Sequence, residues 1–65
     1  MKGQPAITVE RYIPEVVGYK RKWVSKFGYA DRQEAERILA DRIAHWRNKG
    51  WQPIHSRVVT VKVQL

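Results

Sequence analysis

Four cations, Lys20, Arg21, Lys22 and Lys26, stand within one short stretch with no acid among them. Side chains of this type at this spacing can neutralise phosphates. Each Lys or Arg that meets a phosphate releases counterions, which makes binding to a polyanion favourable and salt-dependent. The imbalance continues downstream: after Asp41 there is no further acid, while Arg42, Arg47, Lys49, Arg57 and Lys62 follow. In all, 13 Lys and Arg face 6 Asp and Glu, a formal charge of +7. Nucleic acid is the commonest partner of such a field. The plainer reading is a small basic protein whose charge serves only solubility.

Catalytic chemistry finds little to work with. His45 and His55 are the only histidines, with no third ligand at metal spacing and no Gly-rich phosphate loop. His45 lies four residues after Asp41, as in a surface pair, and the neighbours His55 and Ser56 imply nothing, because catalytic groups meet in space. The expectation is a protein that is not an enzyme and takes no metal or cofactor. With no cysteine there is neither disulfide nor thiolate, which suits a reducing cytoplasm. No apolar run could span a bilayer, and Met1–Ala6 lacks the apolar segment of a signal peptide. A soluble cytoplasmic protein without a membrane partner is therefore expected, folded as one domain over its 65 residues.

What must position these cations is organised around a helix over Asp31–Lys49. Asp31 can cap it, with Glu34 placed to reach back as a capping-box partner. Ala35, Ile38, Leu39, Ile43 and Trp46 form an apolar stripe of helical period. Gly50 supplies the left-handed stop and Pro53 prevents resumption. Arg42 interrupts the stripe. Its stem can pack on the sheet with the guanidinium reaching a carboxylate such as Glu10, or the group can face a ligand.

Around the helix the chain reads as strands. Met1–Ala6 is a frayed lead-in. Ile7–Ile13 alternates, with Ile7, Val9, Arg11 and Ile13 on one side and Thr8, Glu10 and Tyr12 on the other, until Pro14 to Gly18 interrupts, with Glu15–Val17 either a loop with two exposed valines or a short continuation of the strand. Tyr19–Tyr29 is a second strand that places Tyr19, Trp23 and Phe27 opposite Lys20, Lys22, Val24 and Lys26. Trp51 reads as a core lid under the helix end, with a ligand platform as the alternative. Ile54–Leu65 is the third strand, with Val59, Val61, Val63 and Leu65 opposite Val58, Thr60, Lys62 and Gln64. The order β-β-α-β predicts an α+β fold: a three-stranded antiparallel sheet, order 2-1-3, with the helix packed on one face. Taking the valine sets as the helix side leaves Tyr12, Lys20, Lys22, Lys26, Thr60 and Lys62 on the solvent face. On that expectation the lysines contact phosphates while Tyr12 and Thr60 reach bases.

The run from Lys20 to Tyr29, KRKWVSKFGY, followed by Asp31 to Glu36, DRQEAE, resembles the small DNA-binding domains at the N-termini of tyrosine integrases and the related AP2-like domains. In those, a basic strand ends in an aromatic and a short turn leads into a helix opening with Glu-Ala. The resemblance spans Tyr19–Trp46 and implies a three-stranded sheet laid in the major groove of duplex DNA, with Lys20, Lys22 and Lys26 on the contact face. This chain departs from the family by placing a strand after the helix, where the family completes three strands before it. The rival expectation is a protein-interaction or inhibitor module of phage or mobile-element type. Exposed Val16, Val17 and Val58 would dock on an acidic protein, or the third strand would pair in a homodimer.

Overall fold

The computed structural model describes residues 7–64; the expected lead-in at residues 1–6 and the final residue of the third strand lie outside them. Three strands, β1 (Thr8–Gly18), β2 (Arg21–Val24) and β3 (Pro53–Gln64), form an antiparallel sheet in the order β2-β1-β3, and a single helix, α1 (Arg32–Asn48), stands between β2 and β3 in the chain. The predicted α+β class, strand order and β-β-α-β sequence are all present.

The helix ends where its capping chemistry says it should. Asp31 is extended and its carboxylate accepts from the Gln33 backbone N–H at 3.0 Å, while Gly50 takes the left-handed conformation at φ 80°. Glu34 does not complete a capping box; its carboxylate pairs instead with Arg37, one turn on, at 3.6 Å. Only Ala35 and Trp46 of the stripe are buried, whereas Ile38, Leu39 and Ile43 are half-buried, because a sheet with one four-residue edge strand is too narrow to cover them.

Two boundaries differ from the sequence reading. β1 does not stop at Pro14 but continues through it to Gly18. The Pro14 carbonyl accepts from Ser25 N–H at 3.1 Å, so the proline nitrogen also points toward β2, where regular pairing has already ended at Val24. No bond to β3 is lost, and a proline is tolerated in the central strand. Conversely, β2 is short. Tyr19 and Lys20 form the hairpin turn, with Lys20 at φ 60°, and the chain after Val24 leaves the sheet before Tyr29 exchanges two backbone bonds with Tyr12 at 2.8 and 2.9 Å.

In β1 and β3 the face under the helix is the opposite of the expected one, whereas in β2 Trp23 lies on the helix side and Lys22 away from it, as expected. A Cβ added to Gly18 would lie 2.6 Å from Trp46, so Gly18 points at α1. By alternation Val16, Pro14 and Tyr12 share its side, with Trp23, Val58, Thr60 and Lys62 beside them in register. Val16 and Pro14 are fully buried there. Val9, Arg11, Ile13, Val59, Val61 and Val63 therefore face away from the helix. β1 crosses Pro14 without a break in phase, and this carries Val16 rather than Val17 into the core.

Candidate nucleic-acid interface

The sequence-predicted residues do not assemble into one lysine face. Lys22 lies on the uncovered side, its ammonium 3.2 Å from Glu15, whose other carboxylate oxygen accepts from Arg57 Nε at 2.6 Å. The hydrogen bond from Arg57, and then that from Lys22, hold the Glu15 carboxyl below its ordinary pKa. Tyr12, Thr60 and Lys62 lie on the helix side of β1 and β3. There the Tyr12 hydroxyl donates to Glu10 at 3.1 Å, a bond that raises the phenol pKa. Lys62 stands in register with that same Glu10, toward the strand ends. Lys20 sits in the β1–β2 turn and Lys26 in the loop after β2. Only Lys20 and Lys26 therefore remain available as a pair of cations near β2, and the correction follows from pleat phase: residues two apart share a face only inside a continuous strand.

In place of the lysine face the fold builds a strip of cations stacked on aromatics along β2 and α1. Arg42 lies over the Trp23 ring at 4.5 Å to the centroid, which resolves its place in the apolar stripe: it covers an indole rather than reaching Glu10. Two residues along β2, Arg21 stacks on Trp51 at 3.8 Å, and Lys49 approaches the same ring at 5.7 Å. Trp51 is held edge-on to Trp46 at 6.0 Å, and Trp46 rests on Gly18. In the turn beyond, Lys20 lies 5.4 Å from the Tyr19 ring. At the other end Lys26, Phe27 and Tyr29 line a groove of about 510 Å³ with Trp23, Ile38 and Arg42.

The ion pairs among the described residues engage Lys22, Arg32, Arg37 and Arg57. None engages Lys20, Arg21, Lys26, Arg42 or Lys49 of this strip, nor Arg11, Arg47 or Lys62 elsewhere. An Arg stacked on a ring uses its π face, which leaves its in-plane N–H donors free for a phosphate. Tyr19 and Phe27, at 74% and 71% exposure, offer open ring faces at the two ends. The sequence signal that could have found the site was the presence of Trp51 and Lys49 just past the helix stop, matched against Arg21 just past the hairpin turn. Nothing in their spacing announces that they meet.

Among the described residues no group of three or more His, Cys, Asp and Glu is placed to hold a metal ion, and no helix is long and apolar enough to cross a membrane. In comparisons with known proteins no family model, no curated protein and no solved structure matches this chain. The likeness to integrase domains therefore rests on the residues quoted for it.

Proposed function

We propose that this protein binds nucleic acid, with duplex DNA as the expected form, along the strip between β2 and α1. Arg21, Arg42, Lys20, Lys26 and Lys49 contact phosphates, and Tyr19 and Phe27 pack on sugars or bases. The observation that carries the reading is the pair Arg21, at the start of β2, and Lys49, at the C-cap of α1, both against Trp51 and neither in an ion pair among the described residues. A +7 chain supplies the long-range attraction, and the stacked geometry pre-orients the donors. The integrase likeness adds the expectation of a phage or mobile-element protein that works in the cytoplasm.

The test is a titration with duplex DNA at two salt concentrations. Affinity falls by about 0.9 log units per log of salt for each phosphate neutralised, so replacing Lys20 and Lys49 together by Ala weakens binding to every sequence and flattens that slope by nearly 2. Lys22→Ala and Arg37→Ala, whose cations already pair with Glu15 and Glu34, leave it almost unchanged. No binding at low salt up to roughly 100 µM, the weak end of ordinary nonspecific affinity, refutes the proposal. Tighter binding to unpaired strands than to duplex replaces duplex DNA by single strands stacked on Tyr19 and Phe27.

A further inference from the structure

Apart from Gly28, which lies against Arg11 and Ile13 at one edge, the sheet face turned away from α1 is uncovered among the described residues, and an aliphatic stripe runs along it among Arg11, Glu15, Lys22 and Arg57. Val9, Ile13 and Val17 from β1 lie beside Val63, Val59 and His55 from β3, in register. A sheet with one apolar face on a helix and a second one bare is an incomplete two-layer unit. The problem is sharpest beyond Tyr12. Third-strand pairing ends at the Tyr12–Tyr29 bridge, so Thr8–Arg11 and Val61–Gln64 continue as a two-stranded ribbon. Such ribbons are marginal in water unless something packs on them.

We propose that this face is the interface of a symmetric dimer, in which two copies stack sheet on sheet with their helices outside. The face complements itself. A two-fold axis lying across the strands between Ile13 and Val59 reverses the chain direction. Arg11 and Glu15 each lie two residues from Ile13, on opposite sides of it. The axis therefore sets Val9 over Val17 of the second copy, and Arg11 near a Glu15 whose carboxylate is already bonded to Lys22 and Arg57 of its own copy. The ribbon of each copy thus rests on the helix-backed half of the other. The strand residues of β1, β2 and β3, each occupying ~3.3 Å by ~4.8 Å, give about 430 Å² of flat sheet per copy. Two copies then cover about 860 Å² before side-chain corrugation adds to it, a little below the ~1,000 Å² at which specific interfaces begin. Arg11, Lys22 and Arg57 against one Glu15 leave each face with two excess positive charges. Apolar contact therefore works against repulsion, and added salt should strengthen the dimer while it weakens nucleic-acid binding. The inference is independent of the nucleic-acid reading, and the opposite salt dependences keep the two separable.

Sedimentation equilibrium of the full chain without nucleic acid reads the mass directly. The expected result is a concentration-dependent dimer whose population rises toward about 1 M NaCl, where the screening length shrinks to roughly 3 Å. Val9→Asp and Val63→Asp, each checked for an unchanged circular dichroism spectrum, raise the dimer dissociation constant about tenfold or more, a shift of ~1.4 kcal/mol. Thr60→Asp, on the other side of β3, does not. The chain has no cysteine, so Ile13→Cys adds a unique thiol near the axis that a short bis-maleimide joins to its own copy. A monomer mass up to about 1 mM at high salt, far above the micromolar range of stable assemblies, overturns the proposal. So does a dimer that cross-links through Thr60→Cys but not Ile13→Cys, because that pairing runs edge to edge along β3.

Discussion

Gly18→Ala tests the placement of the helix and the integrity of the cation-aromatic strip together. The added Cβ would lie 2.6 Å from Trp46 Cζ3 and 3.2 Å from the Gln52 carbonyl oxygen. The ring must retreat by about 1 Å to restore ordinary contact near 3.6 Å. Trp46 is 4% exposed, with Trp51 edge-on against it, so its displacement is resisted. Overpacking of this kind costs about 1–3 kcal/mol. Gly18 is not among the positive-φ residues, so alanine also removes unfolded-state freedom, worth about 0.4–1 kcal/mol in the opposite direction. An approach of 2.6 Å puts the cost in the upper half of that range, so the steric cost wins and leaves a net loss of about 1–2.6 kcal/mol. For a domain of this size that corresponds to a fall in melting temperature of roughly 4–20 °C. The assay is thermal unfolding followed by circular dichroism and tryptophan fluorescence. Gly50 supplies the contrast. Its φ of 80° strains alanine although nothing crowds its Cβ, and asparagine tolerates that conformation. Gly50→Asn should therefore be mild, whereas Gly18→Asn should be at least as damaging as Gly18→Ala. An unchanged or raised melting temperature for Gly18→Ala would mean that Trp46 does not sit on the hairpin turn, and the assignment of the covered face would fall with it.

Two further outcomes follow from the faces and the ion pairs. Val58→Asp places a charge under the helix and should unfold the domain, whereas Val61→Asp on the uncovered face should leave the monomer folded; denaturant titrations showing equal damage would contradict the pleat phase. Glu15 carries a lowered pKa in the folded state because Arg57 and Lys22 bond its charged form. Its stabilisation is therefore present above the unfolded-state pKa and is lost as pH falls through the lower folded value. Glu15→Gln should melt at a lower temperature at neutral pH and lose less on acidification to about pH 3, below the ordinary carboxylate range. Parallel melting curves for the two proteins would show that the pairs contribute nothing.

The helix was legible in the sequence because its signals are local. Asp31 caps through a bond to Gln33 N–H, Gly50 adopts the conformation that only a residue without a Cβ takes freely, and the stripe between them has the helical period. Strand order was legible too, since a hairpin followed by a returning helix leaves β3 a place beside β1. Which face the helix would cover was not legible. Alternation says which residues share a side, but Val16 and Val17, like Val58 and Val59, offer a valine to both sides, and Pro14 reads as a break although it is a strand residue. Tertiary packing decided it, through the close approach of Trp46 to the one β1 residue with no side chain to obstruct it. That same choice dispersed Lys22, Lys62, Tyr12 and Thr60 over two faces. It also brought Arg21 to Trp51, 30 residues apart in sequence, within stacking distance at 3.8 Å. Such a contact has no local signature: it exists because the hairpin turn and the helix C-terminus are held at the same end of the sheet.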